Sequence, residues 1–453
     1  MNKYFKSLNY FSLNIKKLTK QEVYQEVSAG FTTFITIAYI VVVNPIILQK
    51  SGMPFDSIFI ATCLTAAIGC LLLGLMSNFP AALAPGMGLN VYFAYQITQN
   101  YNYSWQDALG LVFIASIILI IITSLKIRDH LIKAIPHSLS MAISVGVGLF
   151  IALIALKEIN MISYDPHSFL KLNSLKTQNI LIASIGFFTI IILENYKVKA
   201  SILISIAIAT IANLAINISY SGHEVINEFN QVLELPNFSI ADTFFSMKFS
   251  FINSNILHTP TLNIIFTIVL IVLFDSLGVY IAILKQYRKL NPEYNKNIEK
   301  NIPNALLANN YATLFGSIFG TSPTVPFLES IAGIKSHGKT GLTAITVAIC
   351  FILVIILAPI VKLIPMAASA PVILYISCLM IENVTEINWH DITNSIPSAL
   401  IIIFIPFSFS IADGIGIGFI CYTIINLFTG NIKKIHPLMG ILSLIFLIFF
   451  VIR

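Results

Sequence analysis

Apolar residues in this chain come in long blocks, not in the alternation of a strand or the one-sided stripe of a soluble helix. A helix crosses a bilayer core with about 20 apolar residues. Blocks approaching that length lie near 28–49, 55–77, 84–97, 105–125, 134–156, 177–194, 199–219, 260–286, 303–320, 326–335, 340–362, 366–383, 393–409 and 411–429. They predict an all-α polytopic membrane protein with 14 transmembrane segments. A further block, 437–452, reads as an extra membrane helix or an in-plane tail. Residues 1–27 are polar, carry Lys3, Lys6, Lys16, Lys17 and Lys20, and have no apolar signal-peptide core. They read as a cytoplasmic segment leading into the first span.

Two blocks are short and interrupted. The third opens on Ala84-Pro85-Gly86-Met87-Gly88-Leu89-Asn90, and the tenth on Gly320-Thr321-Ser322-Pro323-Thr324-Val325-Pro326-Phe327-Leu328-Glu329-Ser330. Irregular backbone at membrane depth is tolerated only where it is buried or lines a cavity. The two hold the same place in two seven-span halves. Such paired breaks mark a transporter whose site lies at the midplane between inverted repeats. Pro85, Gly86, Gly88, Gly320 and Pro323 are the expected structural breaks. Glycine suits them because a Cβ would crowd a close backbone approach or a positive φ.

Composition sharpens this reading. The chain of 453 residues is 57% hydrophobic and 10% charged, whereas soluble domains carry about 25% charged residues. A water-soluble enzyme, a disordered tail and a fibre are excluded. The net charge of +6 could suggest nucleic acid. Only Arg128, Arg288 and Arg453 of the 26 basic residues are Arg, however, and an Arg-rich groove is missing. No nucleic-acid partner is expected. The charge follows sidedness instead. With the N-terminus cytoplasmic, the inner loops hold Lys126, Arg128 and Lys133; Lys197 and Lys199; Lys285, Arg288, Lys289, Lys296 and Lys300; Lys335 and Lys339; and Lys433 and Lys434. The longest outer loop, 220–259, holds Glu224, Glu228, Glu234 and Asp242 against Lys248. Lys50, Lys157, Lys171, Lys176 and Lys362 are exceptions on the outer side.

Cys63, Cys70, Cys350, Cys378 and Cys421 lie inside apolar runs without ligand spacing and read as small buried side chains. No His pair has metal spacing. No Walker, GxSxG or Cys/His motif occurs. A membrane enzyme or ATP-driven pump is therefore disfavoured, and no metal or cofactor is expected.

Two acids lie at depth. Asp275 is mid-span in Leu273-Phe274-Asp275-Ser276-Leu277-Gly278, and Glu329 follows the second break. An acid there is unfavourable by several kcal/mol and reads first as a functional group. Either acid suits a proton-coupled carrier. Asn90 reads as a substrate contact or a helix cap. Thr32, Thr33 and Thr36 stripe the first span, where Thr commonly bonds back to its own helix. Asn309 and Asn310 read as glue between helices, and Asp413 as a helix cap.

These segments resemble AzgA-like purine nucleobase permeases of the nucleobase/ascorbate transporter superfamily. The likeness rests on Phe31-Thr32-Thr33-Phe34-Ile35-Thr36-Ile37-Ala38-Tyr39 with Asn44-Pro45, on Ala84 to Tyr95, and on Phe274 to Gly278. Gly320-Thr321-Ser322, Glu329-Ser330 with Ala332-Gly333, and Ser410 to Gly414 extend it in order along nearly the whole chain. Pro85 to Asn90 is the most specific part. The resemblance implies a first repeat 28–219, with core 28–125 and gate 134–219, and a second repeat 260–429, with core 260–362 and gate 366–429. The loop 220–259 lies between them and 430–453 follows. Short strands are implied in segments three and ten.

The resemblance also implies a base held by Asp275 and Glu329, with Phe327 at the family's aromatic position; Asn90, Thr33 and Phe93 are further candidate contacts. Phe327 stands where the family usually has Tyr, and Val325-Pro326 replaces its usual hydroxyl residues. Asn309 stands where an Asp is common. The chemistry agrees: a carboxylate beside an amide satisfies both donors and acceptors of a purine. Phe327 and Phe93 are placed to stack on the ring or to pack. The function implied is import of hypoxanthine, guanine and/or adenine by proton symport across the cell inner membrane. Asp275 and Glu329 serve coupling, and a homodimer is one assembly open to it. The alternatives are a pyrimidine or xanthine permease, or an anion carrier of the same architecture. Two buried acids argue against anions.

Overall fold

The structure, a computed structural model, describes residues 19–125, 135–165, 169–221, 240–253, 259–290 and 300–452. Lys3, Lys6, Lys16, Lys17, Lys126, Arg128, Lys133, Glu224, Glu228, Glu234, Lys296 and Arg453 lie outside those residues.

Helix α1, Lys20–Ile37, begins at Lys20 rather than at 28 because Thr19 and Glu22 form a capping box. The Glu22 amide donates to Thr19 Oγ1 at 3.3 Å and the Thr19 amide to Glu22 Oε2 at 2.7 Å. After a turn at Ala38-Tyr39, α2 continues over Ile40–Leu48. There follow α3 (Phe55–Ser77), β1 (Leu83–Pro85) and α4 (Met87–Val91), which widens into π-type turns over Tyr92–Asn100. Next come α5 (Trp105–Ser124), α6 (His137–Glu158), the hairpin β2 (Ile162–Asp165) and β3 (Phe169–Leu172), α7 (Gln178–Asn195) and α8 (Ser201–Ser221).

The second half runs through α9 (Thr259–Leu290), α10 (Ile302–Phe319), β4 (Thr324–Pro326), α11 (Ser330–Lys335), α12 (Gly341–Val354), α13 (Met366–Ile381), α14 (Ile392–Ser408) and α15 (Ile411–Phe428). Block 437–452 is helix α16, Pro437–Ile452. Among the described residues nine helices are long and apolar enough to cross a membrane, and three shorter apolar helices accompany them.

The helices sort into two packed groups. In one, α3 packs on α10 and α12, α12 on α1, and α10 on α5. In the other, α6 packs on α13 and α14, α14 on α15, and α7 on α8 and α13. Many apolar side chains on the outside of the molecule, such as Phe188, Ile211, Ile356 and Phe407, are exposed, as expected where lipid is the solvent. Two sequence readings are corrected here. Cys378 is exposed, not buried, because its side of α13 faces outward with Leu379. Asp413 is not the cap of α15: Ser410 is, accepting from the Asp413 amide at 3.2 Å.

Candidate substrate site

Two chain breaks meet at the centre. Strands β1 and β4 pair antiparallel, with Leu83 opposite Pro326, Ala84 opposite Val325 and Pro85 opposite Thr324. The Gly86 amide donates to the Pro323 carbonyl at 3.0 Å, and the Phe327 amide to the Ala82 carbonyl at 3.1 Å. A Cβ on Gly86 would lie 2.8 Å from Val325 Cγ2, so the close approach requires glycine. Each strand leads into a short helix whose N-terminus lies at this crossing. A helix N-terminus carries partial positive charge.

The second break starts at Gly320, which ends α10 at φ +100°. A Cβ there would stand 2.3 Å from Thr243 Cβ. Thr243 in turn donates to the Phe319 carbonyl at 2.8 Å, capping α10. Glu329 is the N-cap residue of α11 and is half-buried. Its Oε1 accepts from the Tyr39 hydroxyl at 2.8 Å. Asp275 is half-buried on α9, which packs on β4, α4 and α11. It makes no hydrogen bond to another described residue. The neighbouring Ser276 accepts from Asn309 Nδ2 at 3.0 Å. Thr324 donates to the Asn309 carbonyl at 3.0 Å, so Asn309 clamps α9, α10 and β4 together. Asn310 reaches Thr123 Oγ1 of α5 at 2.9 Å. Interhelical amides of this kind replace the missing hydrophobic drive between helices in lipid.

The other expected site residues divide. Phe327 is buried, its ring 6.4 Å from that of Tyr39. Phe93 is buried on the π-type turns. Asn90 is fully buried, and its side-chain carbonyl accepts from Ser322, which ties the two breaks together. Thr33 is also fully buried. It packs under α11, where a Cβ on Gly333 would fall 2.0 Å from its hydroxyl. Gly88 packs on Val147 of α6 in the second helical group. Tyr39 and Ser322 stand out as residues whose roles no pattern in the sequence announced. So does Glu26, whose buried Oε1 accepts from the Lys339 and Thr340 amides at 2.9 and 3.0 Å, ahead of α12.

The Xan_ur_permease model, described as the permease family, matches residues 24–417. The chain belongs to that family. It is 34% identical over 425 residues to adenine permease AdeP of Escherichia coli (strain K12), covering 93% of this chain and 92% of that one. It is 34% identical over 430 residues to guanine/hypoxanthine permease PbuO of Bacillus subtilis (strain 168), covering 94% and 96%. In fold it is similar to the transmembrane domain of a cyanobacterium bicarbonate transporter, BicA. The TM-score is 0.64 at 14% identity, over 87% of this chain and 98% of that one.

In this permease a seam separates the two helical groups, and polar contacts bridge it at both ends. At one end Lys50 pairs with Glu158 of α6 at 3.0 Å, and Tyr95 donates to the same carboxylate at 2.6 Å. Beside this lies an open cleft of about 650 Å³ lined by Gln49, Phe55, Asp56, Asp242, Lys362 and Met366. Further in, between Val91, Tyr95, Ile154 and Ala370, only about 20 Å³ remains. Lys362 pairs with Asp56 at 2.7 Å. At the other end Lys199 donates to Ser336 at 3.0 Å and Thr32 at 3.3 Å. Lys50 and Lys362, the exceptions to the expected charge pattern, are each paired with a local acid.

Proposed function

We propose that this permease imports purine nucleobases, hypoxanthine, guanine and/or adenine, by proton symport across the cell inner membrane. The observation that carries the reading is the pairing of two half-buried carboxylates, Asp275 and Glu329, with the crossing of two chain breaks, in a chain similar over most of its length to purine permeases. Glu329 accepts an N–H of the base at the N-terminus of α11. Asp275, which makes no hydrogen bond to another described residue, takes the coupling proton or a second donor of the base. Phe327 and Phe93 offer apolar faces to the ring. The chain crosses the membrane in 14 segments as two inverted repeats, with the N-terminus cytoplasmic. The core comprises 28–125 and 260–362, and the gate 134–219 and 366–429. The Lys50 end then faces outward, and the bridge from Lys50 through Glu158 to Tyr95 closes it.

Uptake of radiolabelled hypoxanthine, guanine and adenine by cells lacking their own permeases tests this. Expected are saturable uptake of at least one base, competition by the others, and loss of accumulation when a protonophore collapses the proton gradient. Uptake that follows an imposed sodium gradient and ignores pH overturns the proton assignment. Absence of purine uptake overturns the substrate class.

A further inference from the structure

The open cleft beside Lys50 and the constriction further in form one passage. Ile46 of α2 and Met366 of α13 line both. Helix α2 packs on α3 in one helical group, and α13 belongs to the other, so the passage follows the seam. Its wide part holds about 650 Å³. Sites for small ligands hold about 300–1,000 Å³, are mostly apolar with a few placed polar groups, and favour domain interfaces. The inner part, between Val91, Tyr95, Ile154 and Ala370, holds about 20 Å³, room for about one water.

The wide part is lined for a particular chemistry. Phe55 and Met366 supply apolar faces, and Gln49 an amide. Lys362 pairs with Asp56 at 2.7 Å. An ammonium has three donors, so others remain for a ring nitrogen or carbonyl. Asp242 is engaged by a neutral hydroxyl: Ser57 donates to its Oδ2 at 3.2 Å. A carboxylate has about four lone-pair sites, so both oxygens of Asp242 can still accept. The lining thus carries more negative charge than positive. That disfavours an anion and suits a neutral ring bearing N–H groups. The Asp242 wall is also pre-formed. Thr243 donates to the Phe319 carbonyl at 2.8 Å, and the Phe245 amide to the Ile318 carbonyl at 2.9 Å, which fixes this segment on the end of α10. A pre-formed wall spares part of the ordering cost of binding.

We infer that this cleft is a second base site, an outer one that receives a purine ahead of the central site at Glu329. This rests on the purine reading above. Asp242 accepts a ring N–H, Gln49 and Lys362 donate to ring acceptors, and Phe55 covers a ring face. The bridge from Lys50 through Glu158 to Tyr95 separates the two sites, and the base waits in the wide part until that bridge parts. The outer site is the weaker one, because in an open cleft each hydrogen bond to the base replaces one to water.

Equilibrium dialysis of radiolabelled hypoxanthine against the purified full-length permease tests this. The wild type should bind in two steps, one tight and one weak. Asp242→Asn exchanges one carboxylate oxygen for an amide nitrogen, and Gln49→Leu removes the amide. Each should weaken the weak step about three- to tenfold, the loss of one hydrogen bond, and leave the tight step in place. Glu329→Gln should do the reverse. A single step in the wild type overturns the inference, whether or not the variants fold. So does a weak step that neither Asp242→Asn nor Gln49→Leu moves. The two levels fail separately. No bound base at all overturns the purine reading and this site with it. A tight step that Glu329→Gln weakens, without a second step, removes only the outer site.

Discussion

The break in segment three and the break in segment ten share a backbone plan and differ in chemistry. Both run from a three-residue strand into a short helix, and the strands pair with each other. At segment three the helix starts after Gly86, in ordinary extended backbone at φ −80°, and its polar residue, Asn90, is bonded inward to Ser322. At segment ten the chain turns at Gly320 in left-handed backbone, and its polar residue, Glu329, stands at the helix N-cap position without a side-chain capping bond and is half-buried. One break closes on the protein, and the other carries the carboxylate that the proposed function assigns to the base. A duplicated frame can supply geometry twice while the binding chemistry sits on one copy.

The strongest way to break this comparison is to spoil the crossing itself. Gly86→Val puts branched carbon where a Cβ already meets Val325 at 2.8 Å. Uptake should drop to background while immunoblots still find the protein in membranes. Normal uptake would mean the two strands do not need their close approach. Gly320→Ala adds a strained φ, unfavourable by about 1–2 kcal/mol, and a clash with Thr243. It should lower the unfolding temperature in detergent more than Gly86→Ala does.

The next test exchanges polar groups between roles. Glu329→Gln keeps shape but removes charge, and base affinity should fall about ten- to a hundredfold, or roughly 1.5–3 kcal/mol. Asn90→Ala leaves the Ser322 hydroxyl buried without its partner. It should reduce stability by about 1–3 kcal/mol and change KM by less than about threefold, because Asn90 faces the protein and not the base. The reverse outcome, intact stability with lost affinity in Asn90→Ala, would put the amide in the binding site.

Asp275→Asn gives the finest distinction. It mimics a carboxyl that always carries its proton. Counterflow of base across the membrane should persist, while uptake against a gradient should disappear. Full accumulation by this variant would take Asp275 out of coupling.

Much of this was legible in the sequence for physical reasons. Long apolar blocks, Gly and Pro at depth and acids in apolar runs are local signals. The breaks follow from Gly and Pro at depth, whereas the short strands there were implied by the family resemblance. The partners of those acids were not legible. Tyr39 lies 290 residues from Glu329, in an apolar run where a tyrosine looks like packing. Asn90 gave no sign in the sequence of its bond to Ser322, 232 residues away. Thr33 lies in a polar stripe of the first span, and its close approach to Gly333 of α11 had no signal in the sequence. Lys50 and Lys362 looked like flaws in the charge pattern until Glu158 and Asp56 were found beside them.

The β1–β4 pair also sets a schedule for biosynthesis. Ala82 and Ser330, bonded across this crossing, are 248 residues apart. Ribosomes add about 5–20 residues per second, so the first break leaves the ribosome roughly 12–50 s before its partner exists. Until then the edge of β1 and the start of α4 carry unpaired backbone groups in a bilayer that offers them no water. The first half must be sheltered by the insertion machinery or kept near the interface for that interval. Slowing translation between the halves should therefore lower folded yield without altering any contact in the finished protein.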